Sequence, residues 1–194
     1  MSTKKLPAKP ARVPASKTET EARGETFYPN QSVNGFMNRL VGNGSSVDFG
    51  DAMPEPHTLV SAATGFSSLL FLGLALMKSA ASRARPVASY EFALMGLVAT
   101  LASPIAWEHH YGVLLPAFAL LARAFLDEDL RGSPAALAAL AWLLTANSWE
   151  AANVFADTPL RFLQSSLLFG VLCLAVVLWR QAGSSSIPGV DANP

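Results

Sequence analysis

Five apolar runs follow one another along the chain after a polar start. The first, TLVSAATGFSSLLFLGLALM at residues 58–77, carries no charge. At about 1.5 Å per residue such a run spans a hydrocarbon core of about 30 Å. The second, roughly residues 88–106, has Glu91 near one end and Pro104 near the other. The third, residues 110–126, carries Pro116 in mid-run. A proline there predicts a kink, which neighbouring helices accommodate in a membrane. The fourth, residues 134–149, is short and alanine-rich, and small residues predict close helix contact. The fifth, residues 160–179, ends at Arg180. Long uncharged runs joined by short links predict an all-α fold, a multi-pass transmembrane helical bundle of about five helices.

The flanks differ in kind. Residues 1–26 are rich in Pro, Lys, Ala, Thr and Glu and contain no apolar stretch of the sort a cleavable signal needs. They have too little apolar surface to offset their ordering entropy, so a disordered leader is expected. The polar tail over 181–194 is expected to be flexible, leaving 27–180 as the transmembrane region.

Composition agrees with this reading. The chain is 51% hydrophobic and 14% charged, against about 25% charged in soluble domains. Its formal net charge is zero, and it has no basic stripe interleaved with aromatics, so a nucleic-acid partner is not expected. The single cysteine, Cys173, allows no intrachain disulfide.

Lysines and arginines in short loops set orientation. Lys78, Arg83 and Arg85 follow the first run, Arg123 and Arg131 flank the end of the third, and Arg180 follows the fifth. These share one face, expected to be cytoplasmic. The loops WEHH (107–110) and EAANVFADTP (150–159) hold no Lys or Arg and fall opposite, with the amide-rich stretch YPNQSVNGFMNRL (28–40). Lys4, Lys5, Lys9, Arg12, Lys17, Arg23 and Arg39 precede the first run, and this topology puts them on the outer side against the usual bias.

Two stretches carry candidate chemistry. In SPIAWEHHY (103–111), Ser103-Pro104 ends the second run, and Trp107 and Tyr111 suit the membrane interface. Glu108, His109 and His110 then lie together. Histidine can take a proton from a hydroxyl near neutral pH, and a carboxylate beside it can orient the ring or bind sugar hydroxyls. The alternative is an interfacial belt with two solvated histidines. Two adjacent histidines without a third ligand make no metal site, and none is expected. In the amide-rich stretch, Asn34-Gly35 predicts a turn. Val33, Phe36, Met37 and Leu40 predict a helical face lying on the membrane. Asn30, Gln31, Asn34, Asn38 and Arg39 would then face water or a ligand. Amides suit sugar hydroxyls and arginine a phosphate; the alternative is an interfacial helix with a solvated polar face. NQS (30–32) and NGS (43–45) match the N-glycosylation pattern as chance would produce it. Glu91 is expected at the cytoplasmic edge of its run.

Together, Asn30, Gln31, Ser32, Gly35 and Arg39, followed by Ser103, Pro104, Trp107, His109 and His110, resemble the motifs of glycosyltransferase family 87, within the GT-C superfamily. The resemblance covers about residues 27–180 and is to the C-terminal half of such an enzyme. It implies a membrane glycosyltransferase that moves a hexosyl group, in that family mannosyl, from a polyprenyl-phosphate donor to a lipid or polysaccharide acceptor. The setting implied is the extracytoplasmic face of a bacterial inner membrane. It implies His109 or His110 as base with Glu108 beside them, and Arg39 on the donor phosphate. Asn30, Gln31, Asn34 and Trp107 would hold the substrate. No cofactor is implied. It also implies an acidic residue from an N-terminal half, separately encoded; residues 1–26 offer only Glu19, Glu21 and Glu25. The competing expectation is a catalytically inactive membrane protein or interaction subunit. A small transporter is a third, for which only Glu91, Pro104 and Pro116 speak.

Overall fold

The computed structural model describes residues 26–47, 56–81, 89–127, 129–146 and 150–184. The expected leader, apart from Thr26, and the tail beyond Ser184 lie outside the described residues, as do Arg83 and Arg85. The described residues are all-α, with six helices: α1 (Val33–Val41), α2 (Thr58–Ala81), α3 (Ser89–Ala102), α4 (Leu114–Leu126), α5 (Ser133–Thr145) and α6 (Ser166–Ser184). Three 3-10 segments, Glu108–Val113, Glu150–Phe155 and Arg161–Ser165, connect or precede them.

Three helical stretches are long and apolar enough to cross a membrane: Thr58–Lys78, Glu108–Leu126 and Arg161–Ala182. α3 and α5 have 14 and 13 residues, about 21 and 20 Å, short of a hydrocarbon core of about 30 Å. The chain itself supplies the reasons. α3 stops at Ala102, before Ser103-Pro104, where the proline ring bars helical continuation. The third run starts as a 3-10 segment, so Pro116 falls on the third residue of α4. A proline in the first turn removes no intrahelical hydrogen bond, so the cause of the expected mid-run kink is absent. α6 continues through Gln181 to Ser184, past the boundary expected at residue 180.

α3 lies at the centre. Ala93, Leu94, Leu97, Val98 and Leu101 are buried against Leu168, Val171, Leu174, Val177 and Leu178 of α6 and Ala117, Leu121 and Ala124 of α4. α5 packs chiefly on α6 and hardly touches α4. Ala138 and Ala141 are buried on its inner face. Gly170 of α6 answers them: a Cβ there would come within 2.9 Å of the Ala141 carbonyl oxygen. Small residues on both helices set this close spacing, as the alanine-rich run predicts. α2 is the outlier. Only 11% of its apolar window is buried, and Phe66, Leu69, Leu76 and Met77 stand outward.

The bundle has two chemically distinct ends. α1, the segment 103–111 and the segments 150–165 meet at one, joined by hydrogen bonds from Gln31 to Ala106 and Gln164 and from Ser32 to Pro104. At the other end Lys78 sits 5.2 Å above the Trp179 ring, and Arg123 pairs with Asp127. Glu91 is buried in the first turn of α3, where unpaired N–H groups favour a carboxylate.

α1 departs from expectation in one telling way. Asn34-Gly35 is no turn; both residues lie in the helix, which Ser32 caps by accepting from the Gly35 N–H at 3.1 Å. Gly35 is needed for close approach: a Cβ would stand 2.3 Å from the Asn30 carbonyl oxygen. We therefore expect Gly35→Ala to lower the melting temperature of the detergent-purified protein, at a cost of about 1–3 kcal/mol. Gly65→Ala and Gly73→Ala, with nothing within 4 Å, should be neutral or slightly stabilising. Equal melting curves for all three would contradict the packing described.

Candidate functional site

The amide-rich stretch turns its polar residues inward. The Asn30 side-chain oxygen accepts from the N–H groups of Ser32 (3.3 Å) and Ala106 (3.2 Å). Gln31 accepts at its backbone oxygen from the Tyr111 hydroxyl (2.8 Å) and donates its own N–H to Ala106 (2.8 Å). Its side-chain amide donates to the carbonyls of Tyr28 and Gln164 and accepts from the Leu168 N–H. The Ser32 hydroxyl donates to the Pro104 carbonyl at 2.8 Å. Three consecutive side chains thus fasten α1 to the 103–107 segment and to the start of α6.

Arg39 completes the knot. Nη1 donates to the carbonyls of Thr26 and Phe27, at 3.3 and 3.2 Å. Nη2 donates to the Asn30 carbonyl (3.0 Å) and the Ser165 hydroxyl (2.8 Å), which also accepts from Nε. None of these partners is a carboxylate. Burial lowers the guanidinium to about 9, which leaves it charged at neutral pH. It is 0% exposed, so the phosphate contact expected of it has no path in this arrangement. Burial similarly removes Asn30 from direct contact with a ligand, and from glycosylation in the folded chain. Asn34 joins a different set: it accepts from Asn38, which accepts from Asn43, each at 2.8 Å. The apolar face expected to lie on a membrane is divided: Val33, Phe36 and Met37 are half-buried. Phe36 packs edge-on against Phe162 and Phe169, while Leu40 is exposed.

The two histidines are not equivalent. The Trp107 N–H donates to Nδ1 of His110, and the His110 N–H returns to the Trp107 carbonyl, both at 2.9 Å. A neutral imidazole that accepts at Nδ1 carries its proton on Nε2, so His110 offers a donor there rather than a base. His109 makes no such bond; its ring lies 4.2 Å, centroid to centroid, from that of His110. Trp107 faces Phe27, with ring centroids 6.2 Å apart.

A cavity of about 490 Å³ opens between α4 and α5 at this end. Leu114, Leu115 and Phe118 of α4, Trp142 of α5 and Leu167 of α6 form its apolar wall. Its polar lining comes from the connecting segments and helix ends: Tyr28, Gln31, Glu108, His109, Tyr111, Thr145, Asn153, Gln164 and Ser166. Glu108 and His109 are exposed at its edge. The sparse contact between α4 and α5 leaves this room. Of the residues singled out in sequence, Gln31, Glu108 and His109 line the cavity; Asn30, Asn34, Arg39, Trp107 and His110 do not. Gln31 has its amide already engaged. Sequence reasoning missed Tyr28, Trp142, Asn153 and Gln164. For Gln164 a signal existed: a lone amide followed by two serines at the head of an otherwise apolar run.

Among the described residues no group of three or more His, Cys, Asp or Glu could hold a metal. Comparison with family models, curated proteins and solved structures gives no match.

The knot makes a quantitative claim. Arg39→Lys leaves several buried carbonyls without donors and should cost at least about 3 kcal/mol, or prevent folding, since each such group costs about 1–3 kcal/mol. Ser165→Ala should cost less, about 1–2 kcal/mol. Thermal unfolding in detergent checks the order; a tolerated Arg39→Lys would refute it.

Proposed function

We propose that this chain is a membrane-embedded glycosyltransferase, or the acceptor-side part of one. In this reading it moves a hexosyl group from a polyprenyl-phosphate donor to a lipid or glycan hydroxyl. The observation that carries the reading is the cavity's mixed lining, apolar side chains from α4, α5 and α6 and polar ones chiefly from the connecting segments, which matches the two halves of a lipid-linked sugar. The apolar side chains, with Leu115, Phe118 and Trp142, suit a prenyl or acyl chain; the polar ones suit sugar hydroxyls. The motif resemblance points the same way.

In this mechanism His109 is the base. Its ring nitrogens have no hydrogen bond among the described residues, it borders the cavity, and an acceptor hydroxyl can reach it from the lipid side. It takes the hydroxyl proton as the acceptor oxygen attacks the anomeric carbon, and the polyprenyl phosphate leaves with the bonding pair. Glu108, next to it at the cavity edge, binds sugar hydroxyls or steadies the imidazolium. His110 and Trp107 fix the backbone that presents them. Asn30, Gln31 and Arg39 are positioning residues that hold this wall to α6. The three long helices and the shorter α3 and α5 together make five membrane passes, the short two thinning the bilayer or sitting inside the bundle. The end carrying Lys78, Arg123, Arg131 and Arg180 faces the cytoplasm. At the cavity end Arg161 donates to the Gly44 carbonyl and Arg39 is buried, so these two cations are engaged within the fold.

A second reading, a binding subunit without chemistry, is favoured by one observation: α2 leaves nearly its whole length open to lipid or to further helices. Transfer assays separate the two. With radiolabelled polyprenyl-phosphate sugars in membranes carrying the chain, His109→Ala should reduce transfer about 100-fold or more, the usual worth of a general base. His110→Ala should stay within about tenfold of wild type. Equal loss in the two variants would overturn the assignment of His109 as base, and absence of transfer by wild type would overturn a chain active by itself. Topology is tested separately. In a Cys173→Ala background, cysteines placed at Asn34 and at His109 should both react with an impermeant reagent added outside intact cells. Labelling of only one of them excludes the shared extracytoplasmic face.

A further inference from the structure

Gln164 stands apart from every other polar group of the cavity. It is 97% buried, being 3% exposed, and it is part of the polar lining. Its Nε2 donates to the side-chain oxygen of Asn153 at 2.8 Å. Its Oε1 is buried and accepts no hydrogen bond among the described residues. Gln31, the other glutamine of this lining, has both ends of its amide engaged. Buried amide oxygens are nearly always satisfied, and leaving one unmade is unfavourable. It is the Gln164 backbone carbonyl, not the side chain, that receives Gln31, so among the described residues the side chain's bond within the fold is the one from Nε2 to Asn153. The amide is therefore poised for a partner that the chain does not supply.

We propose that Gln164 is a specificity-determining residue of the cavity, its Oε1 accepting a hydrogen bond from a hydroxyl of the bound ligand's headgroup while Asn153 holds the amide in that orientation. Rotation about the broad terminal torsion of glutamine turns Oε1 to the cavity and carries Nε2 with it, and the half-buried Asn153 side chain moves along to keep their bond. The ligand class follows: an amphiphile with an uncharged hydroxylated head, sugar-like, on an apolar chain that lies along Leu115, Phe118 and Trp142. A ligand whose hydroxyls are blocked leaves Oε1 unsatisfied and is rejected. Recognition of hydroxyls by a buried amide gives strong discrimination, because the analogue without donors strands the protein's acceptor. The inference deepens the glycosyltransferase reading and rests on it for the role of the ligand, but it concerns binding and needs no turnover.

The test uses the full chain in phosphatidylcholine nanodiscs. Two probes are compared: an alkyl β-glucoside and its tetra-O-methyl counterpart, which has the same chain and no hydroxyl donors. Binding is read from the fluorescence of Trp142, with Trp142→Phe as the control that assigns the signal to the cavity. Wild type should prefer the hydroxylated probe about tenfold, the usual worth of one such hydrogen bond. Gln164→Leu should lose that preference, and Gln164→Glu, which keeps an acceptor oxygen, should retain most of it. Asn153→Ala should weaken it by about threefold. Circular dichroism and melting curves identify a misfolded variant, in which case the Glu and Asn153 variants carry the comparison. An unchanged preference in Gln164→Leu overturns the proposal, as does a response that survives in Trp142→Phe. If transfer is absent while the hydroxyl preference behaves as described, the enzymatic reading fails and the binding site stands; transfer with no Gln164 effect on preference is the reverse.

Discussion

The carbonyl oxygens of Thr26, Phe27 and Asn30 all end at one group, the guanidinium of Arg39. Buried non-helical backbone has no water to satisfy it, so it persists only where protein donors reach it. Arg39 brings five N–H groups in a fixed fork to a place where several stray carbonyls meet. The cost is a buried positive charge without a carboxylate partner. The compensation comes from four carbonyl and hydroxyl acceptors and from the rigidity they impose. α1, the 103–111 segment and the head of α6 all take their positions from this knot and from the three residues Asn30, Gln31 and Ser32.

The cavity exists because of that arrangement. The Ser-Pro break ends α3 early, the 3-10 segment from Glu108 to Val113 turns the chain, and Gln31 locks the turn through Ala106 and Tyr111. α5, held close to α6 by Ala141 and Gly170, stands away from α4. The gap between α4 and α5 is closed at one end by the amide network and lined by apolar side chains below. A site at a membrane surface for a molecule with a greasy and a polar half needs such a mixed lining.

The two histidines illustrate how local backbone decides chemistry. They are neighbours in sequence and identical in type, yet one nitrogen of His110 is committed to the Trp107 N–H. That commitment fixes the tautomer of His110, while the adjacent His109 ring makes no such bond. The same contrast holds between Gln31 and Gln164: both border the cavity, but one is spent on the fold and the other keeps an acceptor in reserve.

The sequence alone determined the all-helical fold, the positions of the apolar helices to within a few residues, and the gathering of the amide-rich stretch and the WEHH segment at one end. Those follow from the lengths of uncharged runs, from where proline stops a helix, and from counting passes, all of which are local properties. Which way the polar side chains of residues 30–39 point was beyond reach. Their periodicity predicts an outer polar face when neighbours are ignored, whereas stray carbonyls arriving from residues 26–30 and the hydroxyl of Ser165 draw Asn30 and Arg39 inward. The cavity's composition likewise joins residues 28, 108, 142, 153 and 164. No spacing along the chain encodes that meeting, because it depends on how closely α5 approaches α6 and how far it stands from α4. Only packing in three dimensions settles such distances.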